Sequence, residues 1–366
     1  MQRVFLVPHD LRWPEDFARE SSAISAALDD LPVELHHIGS TAIPGIRAKP
    51  IIDMLAVVGD LSHLDEQSSH LEALGYEAKG EFGIPDRRYF RKNDRAGNRT
   101  HQIHAFHTGS LQIERHLAFR DFMSAHPRLA RQYEALKERL AGLYPTDIAS
   151  YAHGKDEFIR EMDSRAAAWR AELNSSAFQK RVTRCLDEHV EIAPYDPKWP
   201  ELFRRERDHL RGCLPTELLG RIEHFGSTAV PGLAAKPIVD ILVEVTDIEA
   251  ARERIVPILE SQGYDYFWRP TNSPGDGSPW YAWLIKRNAA GERTHHLHIV
   301  EPDFPNWSSL VFRDHLLAHP DVARDYERLK MQLAATHSND REAYTSGKSD
   351  FIAGVMQRSS PTSHHG

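Results

Sequence analysis

The stretch HIGSTAIPGIRAKPIID at residues 37–53 returns as HFGSTAVPGLAAKPIVD at residues 224–240. Both copies hold a Gly-Ser-Thr step, a Lys-Pro pair and a closing aspartate at the same spacing. Four further blocks recur in the same order, pairing 8–14 with 194–200, 99–104 with 293–298, 119–127 with 312–320 and 151–159 with 344–352. A repeat spacing near 187 residues is far longer than the roughly 20–50 residues of a solenoid unit. The sequence therefore predicts the duplication of a whole domain.

Length and composition agree with two folded domains. The chain has 366 residues, 41% hydrophobic and 27% charged, which is typical of globular proteins and excludes general disorder, collagen and coiled coil. A net charge of −8 argues against binding DNA or an anionic membrane. The chain shows no membrane-length apolar run and its first residues do not resemble a signal peptide, so we expect a cytoplasmic protein. Cys185 and Cys213 alone cannot form a disulfide framework or a thiolate zinc site.

The order of the repeated blocks sets the expected domain boundaries. We predict a first domain at 1–163, a helical connector at 164–190, a second domain at 191–358 and a disordered tail at 359–366. The chain would be a monomer with pseudo-symmetric halves or a homo-oligomer.

Each copy shows one succession of predicted elements. A helix (14–29 and 199–211) precedes a strand (33–38 and 221–225) that ends at the Gly-Ser step, and a second strand follows (50–58 and 237–245). Next come a helix (62–74 and 247–262) closed by Gly75 or Gly263, two strands around a turn, and C-terminal helices (112–162 and 307–357). This pattern predicts a mixed β-sheet with flanking helices, α/β or α+β, in both halves.

The Gly-Ser-Thr step is a candidate phosphate site. Glycine lets the backbone approach an anion, and the two hydroxyls supply donors, which selects Gly39, Ser40 and Thr41 in the first copy and Gly226, Ser227 and Thr228 in the second. A tight turn with a capping hydroxyl is the structural alternative. Lys49 and Lys236 would offset phosphate charge or lie in water.

Two other residue types suggest a metal. Asp53 and Asp240 open apolar strands, where a carboxylate needs a cation or donors, and Mg²⁺ with phosphate oxygens is a natural partner. Helix capping or pairing with lysine is the alternative. His104 and His298 could reach the same sheet face as metal ligands or general bases, or be structural histidines. His296 shares that face with His298, whereas Gln102 replaces it in the first copy.

Other repeated residues have plainer interpretations. Arg120-Asp121 and Arg313-Asp314 would form local ion pairs or helix caps, and Trp13 and Trp199 would anchor the core. Lys155 and Lys348 would lie in water or reach phosphates from the C-terminal helix, and we favour water. The segment RPTNSPGDGSP at 269–279 has no counterpart in the first half and would border the second site.

Two sets of blocks together resemble the GrpB family. They are HIGSTAIPGIRAKPIID, RTHQIH, FRDFMSAHP and YAHGKDEFI, and then HFGSTAVPGLAAKPIVD, RTHHLH, FRDHLLAHP and YTSGKSDFI. The resemblance implies a nucleotidyltransferase-like fold, similar to the DNA polymerase β superfamily. In that fold a Gly-Ser step grips a nucleotide triphosphate and acidic residues on the next strand bind Mg²⁺. Matching positions are Gly39, Ser40 and Asp53 in the first half and Gly226, Ser227 and Asp240 in the second.

One position departs from that superfamily's pattern. A second carboxylate usually stands two residues after the first, where this chain has Leu55 and Leu242. Glu244 is four residues beyond Asp240, roughly 13 Å along a strand, too far to share its metal. A site of this kind recruits another ligand such as His104 or His298, binds a single ion, or lacks nucleotidyl transfer.

The leading hypothesis is a Mg²⁺-dependent nucleotidyltransferase-like enzyme that binds ATP or another nucleotide triphosphate and serves a small-molecule acceptor. The alternative is a non-catalytic module that binds a nucleotide or a coenzyme A-related phosphometabolite. A third hypothesis is a metal-dependent hydrolase built on the histidines of the second half.

Overall fold

The computed structural model describes residues 3–186, 188–271 and 278–359. It contains two compact units, formed mainly by the chain up to Ser175 and from Ser176 onward, which we call the first and second domains. Both repeat one succession of helices and strands, so the predicted duplication is confirmed. Residues 360–366 of the predicted tail and 272–277 of the segment 269–279 lie outside the described residues.

The first domain begins with a helix and two strands and ends in a helical layer. Its described elements are α1 (Trp13–Ala27), β1 (Val33–Ile38), β2 (Ile52–Val58), α2 (Leu61–Glu66), α3 (Ser68–Ala73), β3 (Tyr76–Ala78), β4 (Arg88–Asn93), β5 (Arg99–His107), α4 (Leu111–Ala125), α5 (Pro127–Leu143), α6 (Ile148–His153) and α7 (Asp156–Leu173). A single turn of 3-10 helix, Ser40–Ala42, follows β1.

The second domain adds one helix before the same series. Its described elements are α8 (Ser176–Leu186), α9 (Trp199–Cys213), β6 (Leu219–Phe225), β7 (Val239–Val245), α10 (Ile248–Arg254), α11 (Val256–Ser261), β8 (Asp265–Pro270), β9 (Trp280–Arg287), β10 (Arg293–Val300), α12 (Ser308–Ala318), α13 (Pro320–Thr336), α14 (Arg341–Ser346) and α15 (Ser349–Ser359). Ser227–Ala229 forms the 3-10 turn after β6.

Each domain is built on one five-stranded mixed sheet within its described residues. The strand orders are β1-β2-β5-β4-β3 and β6-β7-β10-β9-β8. The central pairs β2–β5 and β7–β10 are parallel, and the other pairs are antiparallel. The predicted fold class, a mixed sheet with flanking helices, is confirmed.

The alternation of side chains along β2 separates two layers. Met54 and Ala56 pack with Trp13 of α1 on one face. Leu55 packs with Phe106 and with side chains of α4 on the other. Because residues two apart on a strand share a face, Asp53 lies on the Leu55 side, toward the C-terminal helices. The strand β7 repeats this pattern of burial and brings Asp240 to the equivalent place.

Some predicted elements differ from the structure. The helices expected at 62–74 and 247–262 are each two short helices. Pro257, which lacks a backbone N–H, lies in the first turn of the second half of the latter. The glycines that end them have positive φ, 89° at Gly75 and 87° at Gly263, as expected for left-handed C-termini. The strands β3 and β8 were not predicted; β3 has only three residues, too few to show a period.

Helices occupy most of the stretch 164–190. The end of α7 belongs to the first domain, where Ala166 is fully buried beside α4. In α8 the ring of Phe178 meets Phe267, and Arg184 pairs with Asp265, both in the second domain. The two domains therefore adjoin in sequence inside the predicted connector.

The tryptophans expected to anchor the core do so. Trp13 and Trp199 are core residues, 4% and 3% exposed. Among the described helices, none combines the length and the apolar composition that a membrane crossing requires.

Candidate functional site

A glycine with a left-handed backbone places each predicted aspartate against the end of the first strand. Gly39 has φ 73°, and a Cβ added there would lie 2.4 Å from Oδ2 of Asp53. Gly226 has φ 72°, and its Cβ would lie 2.7 Å from Oδ2 of Asp240. Only glycine satisfies both the φ angle and the close contact. Each Gly-Ser turn thus lies directly beside a carboxylate.

A small cavity opens at each of these turns, under the C-terminal helices. In the first domain it has a volume of about 220 Å³ and in the second about 240 Å³. The equivalent lining residues are Gly39, Ser40, Lys49, Asp53, Gln102, Tyr133, Lys137, Tyr151 and Lys155 in the first domain, and Gly226, Ser227, Lys236, Asp240, His296, Tyr326, Lys330, Tyr344 and Lys348 in the second. The repeated blocks of the sequence converge on one place in each domain.

Two lysines flank a tyrosine in the first cavity. Nζ of Lys49 and Nζ of Lys155 lie 5.2 and 4.8 Å from the centre of the Tyr151 ring. Burial lowers the pKa of both amines, and that of Lys155 falls to about 8. Lys155 faces Asp53, whereas of the two positions open from the sequence, in water or near phosphates, water was favoured.

The second cavity repeats this arrangement around Tyr344, with Lys236 at 5.2 Å and Lys348 at 4.5 Å from the ring centre. Burial lowers the pKa of Lys236 to about 7 and that of Lys348 to about 8. The shifts mean that the charged amines lack enough hydration and negative partners. A bound anion would supply what they lack.

The pKa values of the two aspartates are shifted in opposite directions. Burial raises the pKa of Asp53 to about 6 despite the nearby lysines. Burial acts on Asp240 in the same direction, but a hydrogen bond from His296 and the charges around it bring its pKa below the usual value. Near neutral pH, Asp240 is the more firmly ionised carboxylate.

The predicted threonines already use their hydroxyl protons within the fold. Oγ1 of Thr41 donates to the carbonyl of Ile51 at 3.1 Å and accepts from Nε2 of His37 at 3.0 Å. Thr228 makes the same bonds with Ile238 and His224. A hydroxyl has one proton to donate, so contact of either threonine with phosphate stays a prediction that would cost an existing bond.

The structure does not bring His104 to Asp53. His104 lies on the predicted face, but it is paired with Leu55, and the neighbour of Asp53 on β5 is Gln102. Nη1 of Arg87 donates to Nδ1 of His104 at 3.3 Å, and the ring of His116 lies 5.9 Å away. Burial and these groups lower the pKa of His104 to about 3. A metal role for His104 therefore stays a prediction without a partner ligand.

In the second domain the equivalent residues do meet. Nδ1 of His296 donates to Oδ1 of Asp240 at 3.1 Å. One ligand atom from each of Asp240, His296 and His298 lies within 4.8 Å of the others, and no other such group of three occurs in the described chain. We call these residues the His-His-Asp cluster. His296 is not among the metal ligands predicted from the sequence. Its position two residues before His298 on the same strand does indicate that the two side chains share a face of the sheet.

The second carboxylate is missing from the structure as from the sequence. Leu55 and Leu242 are fully buried at the positions two residues after the aspartates. Glu244 is bound elsewhere, because its carboxylate accepts from Nε of Arg221 at 2.8 Å. The predicted ion pairs of Arg120 with Asp121 and of Arg313 with Asp314 form, and each arginine also donates to a carbonyl of the first strand.

Comparison with known proteins gives the same repeat. The family model described as GrpB protein matches residues 3–165 and 189–358. The protein YqkA of Bacillus subtilis is 39% identical over 175 residues, 48% of this chain and 50% of YqkA, so the chain spans about half the length of that relative. The crystal structure of GrpB from Enterococcus faecalis is 37% identical with a TM-score of 0.42, covering 44% of this chain and 96% of that one.

A more distant likeness is to the Cid1 poly(U) polymerase bound to MgATP. That structure is 15% identical with a TM-score of 0.28 and covers 36% of this chain and 45% of its own. A likeness of this size carries no information on activity.

Proposed function

Since this chain belongs to the GrpB family and carries its domain twice, we propose that it binds the phosphates of a nucleotide triphosphate and transfers a nucleotidyl group to a small-molecule acceptor. One observation carries the proposal. In each domain a Gly-Ser turn, two buried lysines and an aspartate line the same small cavity. Poorly hydrated cations beside a Gly-Ser turn, whose serine hydroxyl hydrogen-bonds Tyr133 or Tyr326, favour an anion with several oxygens.

The size of the cavity limits what enters it. Pockets for drug-sized ligands span roughly 300–1,000 Å³, and these hold about 220 and 240 Å³. The cavity thus suits the phosphate end of a nucleotide, with the base and sugar outside. Ser40 or Ser227 would donate to phosphate oxygens, and the lysines would offset their charge.

In the first domain a Mg²⁺ ion would need phosphate oxygens of the substrate as ligands in addition to the protein. Mg²⁺ is commonly held by one or two carboxylates together with phosphate oxygens. Asp53 provides one carboxylate, while the side-chain oxygen of Gln102 already accepts from Tyr89 at 2.8 Å. Mg²⁺ would neutralise the phosphates there, and Lys49 and Lys155 would orient them. In the second domain two imidazoles surround the aspartate, a donor set that suits Mg²⁺ poorly, so we assign it no step there.

A non-catalytic nucleotide-binding module is the second candidate. The buried Leu55 and Leu242 favour it, because they leave the site without the second carboxylate that would bridge two metals. Both candidates require phosphate binding and differ in turnover.

Calorimetric titration of the full chain with each common nucleotide triphosphate, with and without Mg²⁺, tests the shared premise. Joint Lys49→Ala and Lys236→Ala changes should weaken binding at least tenfold. Lys79→Ala, which removes a half-buried lysine paired with Glu77 outside the cavity, should leave it unchanged. Release of pyrophosphate in the presence of small acceptors then separates the candidates. Absence of heat with every nucleotide would overturn both.

A further inference from the structure

We infer that the His-His-Asp cluster of the second domain is a binding site for one divalent transition metal, such as Zn²⁺, Mn²⁺ or Fe²⁺, and that the first domain has lost or never had this site. Two imidazoles and one carboxylate with open positions are a donor set that selects such ions over Mg²⁺. The inference deepens the proposed function, because Asp240 belongs to both.

The spacing of the donors suits a common ion. Ligand atoms bound to one such metal at about 2.0–2.2 Å lie roughly 3–3.4 Å apart. The pair formed by Nδ1 of His296 and Oδ1 of Asp240 is already at 3.1 Å, and the whole set lies within 4.8 Å. A rotation of the Asp240 carboxylate would reduce the remaining difference.

An unpartnered donor supports the site independently. Nδ1 of His298 is buried and has no hydrogen-bond partner, a costly arrangement for a polar atom. The His298 ring is packed between Tyr281, stacked at 5.4 Å, and Phe225, edge-on at 5.1 Å. These aromatic rings fix the imidazole and restrict water, as the shell around a metal site does.

Three substitutions explain why the first domain lacks the site. Gln102 replaces His296 beside the aspartate. Arg87 occupies the position that Tyr281 has in the second domain, two residues before the residue paired with the histidine on the neighbouring strand. The guanidinium of Arg87 donates to His104. A cation there repels a metal ion.

The third substitution acts from the helix above the sheet. His116 packs on His104 at 5.9 Å, and its counterpart three residues before the Phe-Arg-Asp block is Ser309, which lines the second cavity. The second domain thereby opens the space that His116 fills in the first.

Charges around the cluster limit its affinity. Nη1 of Arg293 donates to Nε2 of His296 at 3.4 Å, so the proton of this ring is on Nδ1, facing Asp240. Metal binding displaces that proton, and Nε2 then becomes the protonated nitrogen beside Arg293. Lys236 and Lys348 also face Asp240. We therefore expect the cluster to bind its metal with lower affinity than a structural zinc site does. The affinity should rise when a bound anion offsets the charge of the lysines.

The test is equilibrium dialysis of chelator-treated full chain against Zn²⁺, Mn²⁺, Fe²⁺ (under exclusion of oxygen) or Mg²⁺, with bound metal counted by mass spectrometry. We expect one transition metal per chain and no competition by an equal concentration of Mg²⁺. His296→Gln, which reproduces Gln102, and Asp240→Asn should both abolish binding. Circular dichroism checks that each variant is folded, and the visible spectrum of a Co²⁺ complex reports the coordination directly.

Two controls address other histidines. His104→Gln should leave one metal per chain. His319→Gln disrupts the pair of His315 and His319 at the end of α12, whose rings stack at 4.0 Å, and should also leave the count at one. Conversely, Gln102→His combined with Arg87→Tyr and His116→Ser should raise the count to two.

Failure of this inference differs from failure of the proposed function. Sulfate binding is measured on the same preparations without metal. If sulfate binds and no transition metal does, or if His296→Gln keeps its metal, the metal site is refuted and the phosphate proposal stands. If metal binds and neither sulfate nor nucleotide does, the phosphate proposal is refuted and the metal site stands.

Discussion

Alanine in place of the turn glycines should separate backbone strain from contact with the aspartate. Gly39 and Gly226 combine a positive φ with a close approach to the carboxylate. Gly45 and Gly232, six residues further on, have φ angles of 75° and 79° and nothing within 4 Å of an added Cβ. The second pair is therefore a matched control that carries the strain alone.

The magnitudes follow from these contacts. Alanine with positive φ costs about 1–2 kcal/mol, which we expect for Gly45→Ala and Gly232→Ala. In Gly39→Ala the new Cβ would also meet Cβ of Asp53 at 2.9 Å, so the strand must move, which adds about 1–3 kcal/mol. In Gly226→Ala the nearest Cβ, that of Asp240, is at 3.4 Å and rotation of the carboxylate relieves most of the clash. Gly39→Ala should therefore be the least stable variant and Gly226→Ala intermediate.

Hydrogen exchange read by mass spectrometry is the suitable assay, because two-domain unfolding need not be a single transition. Peptides covering β2 and β7 report the free energy of opening of each domain separately. Sulfate titration of the same variants reports the cavities. We expect the clashing alanines to lose sulfate binding in their own domain and the control alanines to keep it. If Gly39→Ala is no less stable than Gly45→Ala, the close packing of turn and aspartate is refuted.

Two further predictions concern the cavities. The affinity for sulfate should fall as pH rises from 6 to 9, a range over which the charge of sulfate is constant. The reason is that Lys236, Lys155 and Lys348 have pKa values of about 7, 8 and 8 and lose their charge there. Calorimetry showing a constant or rising affinity would contradict a role of these lysines in binding. Thr228→Val should reduce the stability of the second domain by about 1–3 kcal/mol, because the carbonyl of Ile238 loses its donor, and should leave sulfate affinity unchanged; a selective loss of affinity would show that the hydroxyl binds the anion.

The sequence was most informative where local pattern decides the structure. The strands at 33–38 and 50–58 were predicted from apolar runs, and the structure has them at Val33–Ile38 and Ile52–Val58. The approach of the Gly-Ser turn to Asp53 also follows from local order, since β1 and β2 are adjacent antiparallel strands with Ile38 opposite Asp53. When a motif connects two neighbouring strands, the contact between its ends can be predicted from the sequence of the motif alone.

What depends on packing between distant segments was not predictable. Lys155 is more than a hundred residues from Asp53 in sequence, and the Gly-Lys pair alone could not decide whether the amine lies in water or turns inward over Tyr151. The orientation of His104 depends on Arg87, which lies just before a strand whose register fixes the contact. Periodicity assigns such residues to a face of the sheet, and only the neighbouring strand decides which side chain they meet.

The two domains retain different parts of one arrangement. Both keep the glycine, the aspartate, the lysines and the tyrosines of the cavity, which suggests that anion binding is the shared property. Three differences lie near the aspartate or the following histidine: Gln102 against His296, Arg87 against Tyr281 and His116 against Ser309. Each change in the second domain removes a cation or bulk, or adds a nitrogen ligand. If both proposals hold, the first domain would bind an anion beside a carboxylate whose pKa is raised, and the second would bind one beside a metal.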